Sequence, residues 1–293
     1  MTSLFPAADW LWKPIPPSPK ISGHSATWVG YFSAHGTQHV ANLRDYGVTM
    51  VPASAVTALT PRYRVTLTEK WGSNPFGSTT IPIPTGTPIP PGSDGHIAVQ
   101  DPISGQVFGL WQAKYNSKTD TWSASWGGMT PINGNGIDTA GSATATGISR
   151  YAGVVGSYEF GLAIAANGRL NHALFISSDI AGSSFVPPAI KSDGVNQAGV
   201  ALPIPEGSRI QLDPTVNVDA IPGITPAEKV IAKTLQTYGA YVGDRGGARM
   251  AFIFRMISGS TPTNPGSEWT NAGLARDYFD MAHIPWAKLR VLA

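Results

Sequence analysis

Glycine and proline interrupt this chain so often that we expect neither long helices nor long strands. The two residue types account for 58 of the 293 residues, 33 glycines and 25 prolines. Proline lacks a backbone N–H and glycine favours turns, so together they keep regular elements short. Apolar residues still make up 42% of the chain, enough for a large core. We therefore predict one β-rich domain over residues 1–293, with a Pro-rich N-terminal arm over residues 1–23.

Three runs in the middle of the chain have the two-residue alternation of strands. They are HIAVQD (96–101), QVFGLWQAKY (106–115) and TWSASW (121–126), and the segments between them, PISG and NSKTD, are rich in turn formers. An antiparallel meander is the natural interpretation, and further runs such as RLNHALFIS and GSRIQLDP indicate more strands. The predicted fold class is mainly β, an antiparallel β-sandwich (jelly-roll-like) with a few short covering helices.

One covering helix has complete start and stop signals. Thr225 is placed to be its N-cap, Pro226 suits the first helical position, and Glu228 completes a capping box. Gly239 is a suitable residue for the C-terminal end.

The chain lacks the signatures of several function classes. It has no cysteine, its net charge is +2 without a basic stripe, and it has no apolar run of 18 residues. We therefore expect no thiolate metal site, no nucleic-acid partner and no membrane span. Nucleotide-binding glycine motifs and HExxH are missing from the sequence, so no cofactor is predicted. The N-terminus does not read as a signal peptide, but the high Trp, Gly and hydroxyl content with few charges favours an exported protein.

One histidine pair has the spacing of two metal ligands on a helix. His35 and His39 lie four apart in HGTQH, but no third ligand accompanies them. We expect a solvated loop there, and no metal site.

The meander combines aromatic and polar side chains in a way that predicts a sugar-binding face. Alternation separates Ile97 and Val99, which should face the core, from His96 on the opposite face. Trp122 and Trp126 should share a face in TWSASW. Sugar C–H faces stack on aromatic rings and sugar hydroxyls bond to amides, so the expected substrate-binding residues are Trp111, Gln112, Tyr115 and Trp126. Ordinary core packing of these tryptophans is the alternative.

Six residues are candidates for acid–base chemistry: Asp94, His96, His172, Asp193, Glu206 and Asp244. The carboxylates Asp94, Asp193 and Glu206 have a turn role as their alternative. His172 lies in an otherwise apolar strand, where hydrogen bonding to a carbonyl or carboxylate would explain it equally well. Asp244 follows the predicted helix at a strand end.

Several segments in this order resemble a family of exported, β-rich bacterial proteins frequent in actinobacteria and soil bacteria. They are FPAADWLWKPI, DGHIAVQD, NHALFIS, FVPPAI followed by SDG, and LQTYGAYVGDRGG. The resemblance implies an exported single-unit protein with His96, His172 and Asp244 at matching positions, and it supplies no activity. Many members of that family carry a glutamate where this chain has Gly109, so a carboxylate role is not implied at that position.

Three functions remain open at this point. The first is a polysaccharide-active enzyme, a glycoside hydrolase with an aromatic-lined cleft, whose partner is a polysaccharide or oligosaccharide. The second is a polysaccharide lyase, in which Gln112 or His96 neutralises a uronate carboxylate and a Tyr or His abstracts a proton. The third is a non-catalytic glycan- or surface-binding protein, or a structural protein of a virion or cell envelope. The near-neutral overall charge favours a neutral glycan and hydrolysis.

Overall fold

The computed structural model describes residues 4–34 and 38–293. Strands take up 28% of the chain and helices 16%, so the prediction of a mainly β protein is confirmed. The strands are β1 His39–Asn42, β2 Val48–Val51, β3 Arg62–Tyr63, β4 Thr66–Leu67, β5 Ile81–Pro82, β6 His96–Asp101, β7 Gln106–Trp111, β8 Lys114–Asn116, β9 Thr121–Ala124, β10 Trp126–Pro131, β11 Leu174–Ser178, β12 Ala181–Phe185, β13 Ile204–Glu206, β14 Arg209–Leu212, β15 Ala240–Arg245, β16 Met250–Ile253, β17 Phe279–Asp280 and β18 Leu289–Val291. The helices are α1 Asp9–Trp12, α2 Ser25–Ser33, α3 Ser157–Ala165, α4 Pro226–Thr237 and α5 Ser267–Thr270.

The largest sheet has seven strands in the order β17-β1-β16-β11-β15-β14-β18. Its centre is mixed, because β1 pairs parallel with β16 and β11 pairs parallel with β15, while β11 and β16 are antiparallel. The connection from β11 to β15 contains α4, which gives the chain the length that a parallel crossover needs. The prediction of antiparallel pairing throughout is therefore wrong for this sheet, and a jelly roll is not confirmed.

The second sheet has four strands in the order β10-β7-β6-β2. The predicted hairpin is present as the antiparallel β6–β7 pair, but the next strand to pair with β7 is β10, which shares only Trp126 with the predicted run TWSASW. Strand β2 joins β6 in parallel. TWSASW does not form one strand, since Ser125 separates β9 from β10 and the two strands lie in different sheets. Trp122 and Trp126 consequently do not share a face of one strand, contrary to the prediction.

Apolar side chains fill both faces of the two main sheets. One cluster packs α2, α3 and α4 on the seven-stranded sheet, with Phe160, Ile231 and Phe252 among its members. A second cluster lies between the sheets and joins Ala98 of β6 to Phe175 of β11. A third packs Ile97, Val99 and other side chains of the four-stranded sheet against the smaller sheets. The face of β6 opposite Ile97 is thus covered, and the open face predicted for the meander is limited to the end at His96.

The N-terminal arm is part of the core. Phe5 and Leu11 are buried in the cluster between the sheets, and residues 9–12 form the short helix α1. The Pro-rich arm predicted for residues 1–23 thus contains a short helix, which lies ahead of the prolines at 14, 16, 17 and 19.

Helix α4 begins as predicted. Thr225 accepts a hydrogen bond from the Glu228 amide, and Glu228 accepts one from the Thr225 amide, so both halves of the capping box are present. The helix ends at Thr237, and Gly239 adopts a φ of +70° two residues later. This turn leads directly into β15.

His39 is not in a solvated loop. It is buried in β1, where its ring stacks on Trp286 at 4.3 Å and its Nε2 lies 2.8 Å from the Phe32 carbonyl. Burial lowers its pKa to about 4, so the ring is neutral. His35, the other half of the proposed pair, lies outside the described residues. Among the described helices, none combines the length and the apolarity that crossing a bilayer requires.

Candidate functional site

Two adjoining cavities open where the seven-stranded sheet meets the four-stranded sheet. The first has a volume of about 520 Å³ and the second about 490 Å³, within the range of small-molecule sites. Four residues line both cavities: Asp94, His96, Asp244 and Arg245. Three of these four, Asp94, His96 and Asp244, are residues that the sequence singled out. Asp244 is distant in the chain from the other two.

The fold brings these residues together by placing the carboxyl end of β15 near the amino end of β6. Asp244 lies near the carboxyl end of β15, paired with Ser177 just after a register shift in the parallel β11 neighbour. Asp94 lies in the turn before β6, where its backbone carbonyl accepts a hydrogen bond from the Gln112 backbone N–H at 2.7 Å. His96 is the first residue of β6. Side chains at the carboxyl ends of parallel strands are a common basis for sites in mixed sheets.

Three carboxyl groups form a compact cluster at the shared wall. Asp193, Glu206 and Asp244 each offer an oxygen within 4.8 Å of the other two. Glu206 is fully buried, and neither of its oxygens makes a hydrogen bond of normal geometry within the described chain, although the Ser192 hydroxyl and the Asp193 amide lie close. Asp193 is exposed and pairs with Arg245 at 3.2 Å. Like charges at this spacing cannot all ionise easily.

The cluster therefore holds protons near neutral pH. Burial, with the charges of Asp193 and Asp94 adding to it, raises the pKa of Asp244 to about 7 against the opposing effect of Arg150. Burial also raises the pKa of Glu206 to about 8, helped by the charges of Asp244 and Asp193. The pKa of Asp193 is raised as well, because neighbouring atoms partly desolvate its half-exposed side chain, against the charges of Arg245 and Lys191. Carboxyl groups protonated near pH 7 can donate protons to a substrate.

The same spacing suits a divalent cation with hard oxygen ligands, such as Ca²⁺. The three residues would be Asp193, Glu206 and Asp244. No metal was predicted from the sequence, and a direct test with a chelator is part of the assay proposed below.

His96 is held as a neutral ring. Its Nδ1 lies 3.2 Å from the Leu110 carbonyl, which assigns the proton to Nδ1. Burial and the charge of Arg150 lower its pKa to about 3. At neutral pH His96 is consequently a hydrogen-bonding group and a very weak base.

A tryptophan cluster borders the second cavity. Trp71 stacks on Trp111 with ring centroids 5.7 Å apart, and it contacts Trp126 at the same distance. Trp71 is 62% exposed, whereas Trp126 is buried beneath it. Trp111 also donates a long hydrogen bond of 3.4 Å to Asp94. An exposed indole beside carboxyl groups is the arrangement expected for stacking a sugar ring.

The structure places other predicted residues away from the cavities. His172 precedes β11 and bonds through Nε2 to Glu159 at 3.2 Å and through Nδ1 to the Ala173 carbonyl. Burial alone would lower its pKa, but Glu159 outweighs burial and raises it. The side-chain oxygen of Gln112, just after β7, accepts a hydrogen bond from the Ser125 hydroxyl. The backbone N–H of Gln112 donates a hydrogen bond to the Asp94 carbonyl. Tyr115 is on β8, where it contacts Trp122 and Asp120.

Two residues of the site had no signal in the sequence. Arg150 is 1% exposed and lines the first cavity, with its guanidinium carbon 4.1 Å from the centre of the Phe175 ring. It follows a long Gly/Thr/Ala-rich loop that gives no periodic pattern. Trp71 lies in the loop between β4 and β5, and only its residue type could have suggested a sugar contact.

Comparison with family models, with curated proteins and with solved structures finds no significant match to this chain. The function of the site is therefore inferred from the chemistry of its own residues.

Gly243 controls the packing beneath the site. A Cβ on this residue would lie 2.1 Å from the Phe175 ring, the ring on which Arg150 stacks. We expect Gly243→Ala to displace that ring and to destabilise the protein by about 1–3 kcal/mol, measured by thermal or urea unfolding.

The matched control is Gly161→Ala in α3, where nothing lies within 4 Å of the added methyl group. This variant should be neutral or up to about 1 kcal/mol more stable, because alanine is the better helix former. Equal stability of the two variants would contradict close packing at Gly243.

Proposed function

We propose that this protein is a glycoside hydrolase whose active site is the pair of cavities around Asp94 and Asp244. The observation that carries the proposal is the cluster of Asp193, Glu206 and Asp244, with raised pKa values, next to an exposed tryptophan. Glycosidic hydrolysis needs one protonated carboxyl group to assist the leaving oxygen and one carboxylate to act as nucleophile or base.

The roles follow from position and charge. Asp244 lines both cavities and its pKa of about 7 keeps it protonated below neutral pH, so we assign it as the general acid. Asp94 lines both cavities as well and is the carboxylate partner, oriented by Trp111. Glu206 is buried and lines neither cavity, so we assign it no direct contact with the substrate.

A lyase fits the site less well. Its base must remove a proton from a carbon atom, and His96, with a pKa of about 3, is too weak a base for that step. Burial and the charge of Asp45 raise the pKa of Tyr278 in the first cavity, so this tyrosine is hard to ionise as well. A non-catalytic binding protein would use the tryptophans without needing protonated carboxyl groups beside them.

A panel of polysaccharides incubated with the full chain tests the proposal. Hydrolysis releases reducing ends without ultraviolet absorbance, a lyase produces both, and a binding protein produces neither. We expect reducing ends alone, best near pH 5–7 (roughly the range set by a general acid of raised pKa). Parallel reactions with EDTA, and with added Ca²⁺, show whether the carboxyl cluster acts with a cation. Absorbance of an unsaturated product would overturn the proposal in favour of a lyase.

The exposed indole of Trp71 should contribute to substrate binding. We expect Trp71→Ala to raise KM about 5- to 20-fold on long glycans with little change in kcat, because a lost stacking contact is worth about 1–2 kcal/mol. The measurement is steady-state kinetics on the glycan that the panel identifies.

Tyr158→Ala is the matched control, since Tyr158 is also a largely exposed aromatic but lines neither cavity. A similar rise in KM in both variants would mean that the tryptophan cluster is not a sugar platform.

A further inference from the structure

The first cavity is lined by a buried cation, two of whose nitrogens have no hydrogen-bonding partner among the described residues. Arg150 is 1% exposed, and its Nε and Nη2 donate no hydrogen bond within the described residues. Buried guanidinium groups normally pair with a carboxylate or a carbonyl, because an unpaired buried charge is unfavourable. This side chain is instead held by the face of Phe175, which also lines the cavity.

The carboxyl groups around Arg150 do not neutralise it by direct contact. Asp244, Asp94 and Asp138 raise its pKa through space, yet none of them accepts a hydrogen bond from Nε or Nη2. Burial lowers the pKa of Arg150 to about 10, so the group remains cationic at neutral pH. Burial also raises the pKa of Asp138 to about 8, so this neighbour is protonated under the same conditions.

A second unpartnered polar atom lies in the same cavity. Asn42, on β1, is 5% exposed, and its Oδ1 accepts no hydrogen bond within the described chain. The residues that line the cavity therefore include a cationic donor and a neutral acceptor without partners among the described residues. Tyr46 and Tyr278 complete the wall as hydroxyl-bearing aromatic residues.

We propose that the first cavity is a subsite for a uronic acid unit, whose carboxylate binds Arg150 and whose hydroxyl groups bind Asn42. The proposal rests on the proposed glycan-cleaving function and names the substrate class as an acidic glycan. A guanidinium fork matches the planar carboxylate in two parallel hydrogen bonds, and an amide oxygen accepts from a sugar hydroxyl. The overall charge of the chain favoured a neutral glycan, but the local charge in this cavity is the better guide to the substrate.

The other charged groups near the cavity are compatible with a bound carboxylate at mildly acidic pH. Arg245 lines the cavity and adds positive charge, and Asp244 and Glu206 are mostly protonated near pH 6. Asp94 and Asp193 oppose the ligand. Binding should therefore be measured at about pH 6, below the pKa of Asp244.

Calorimetric titration of the full chain tests the subsite without any need for turnover. The probes are galacturonic acid, glucuronic acid, the methyl ester of galacturonic acid, galactose, glucose and inorganic sulfate. We expect each acid to bind at least about tenfold more tightly than its neutral parent, and more tightly than the ester, because two charge-assisted hydrogen bonds depend on the carboxylate. Equal binding of acid and ester would overturn the proposal, and so would sulfate binding as tightly as the acids.

Two variants and one control locate the binding. Arg150→Met keeps the apolar stem and should remove the preference for the acids over the ester. Asn42→Asp should weaken acid binding at least about tenfold by placing a carboxylate in the wall of the same cavity, and it remains informative if Arg150→Met does not fold. Arg209→Met is the control, because Arg209 also stacks on a ring, that of Tyr241, but lines neither cavity.

The subsite and the hydrolase function fail in different ways. Acid-selective binding without release of reducing ends would support the subsite and contradict the hydrolase function. Hydrolysis confined to neutral glycans, without acid-selective binding, would support the hydrolase function and contradict the subsite.

Discussion

Asp244→Asn is expected to lower kcat about 100- to 10,000-fold on the best glycan substrate and to change KM only a few-fold. Asparagine keeps the size of the side chain but cannot donate the proton that a leaving oxygen requires. Asp244 lines both cavities and has a pKa of about 7, the value suited to a general acid near neutral pH. Steady-state kinetics on the purified variant measure the effect.

The same substitution should not unfold the protein. A carboxyl group whose pKa is raised in the folded state destabilises the fold at pH values above its ordinary pKa, so a neutral amide relieves this effect. We expect Asp244→Asn to be at least as stable as the wild type at pH 8. Asp120→Asn is the matched control, because Asp120 is exposed between β8 and β9 and lines neither cavity. A variant at Asp244 with full activity would remove this residue from the proposed mechanism.

The sequence predicted the local elements of the fold better than their assembly. The capping box at Thr225 and Glu228 and the antiparallel β6–β7 pair depend on neighbouring residues, so pattern and turn chemistry were enough to find them. The parallel pairing of β11 with β15 joins strands more than 60 residues apart. No local pattern encodes which distant strand becomes the neighbour, and the antiparallel prediction failed there.

Predictions for the site follow the same division. Asp94 and His96 could be predicted from the sequence because they lie at the start of strand β6. Asp244 could be predicted because it lies near the end of strand β15. Arg150 was not visible, because its importance comes from burial and from missing partners, which only the packed structure shows. His172 was assigned to the site as a histidine in an apolar segment, and the structure places it outside both cavities with a hydrogen bond to Glu159, the kind of partner that the alternative named.

The buried carboxyl group of Glu206 should make the protein less stable as pH rises. Its pKa is about 8 in the folded chain and about 4.5 in the unfolded chain, so between these values the folded state alone holds the proton. Unfolding becomes easier by about 1.4 kcal/mol per pH unit for such a group, at most about 5 kcal/mol in total. The wild-type Tm should therefore fall between about pH 5 and 8, with Asp138 and Asp244 adding to the same trend.

Glu206→Gln removes one titrating group from this trend and should flatten it. We expect a Tm about 5–10 °C above that of the wild type at pH 8.5 and a much smaller difference at pH 4.5, where the wild-type carboxyl group is already protonated. Glu268→Gln is the control, because Glu268 is exposed, and its Tm should follow the wild type at both pH values. If Glu206→Gln is less stable than the wild type at pH 8.5, the folded protein favours the ionised form of Glu206, and the carboxyl cluster does not raise its pKa. In that case a bound cation becomes the better account of Asp193, Glu206 and Asp244, since three ionised carboxylates within 4.8 Å of one another need a compensating positive charge.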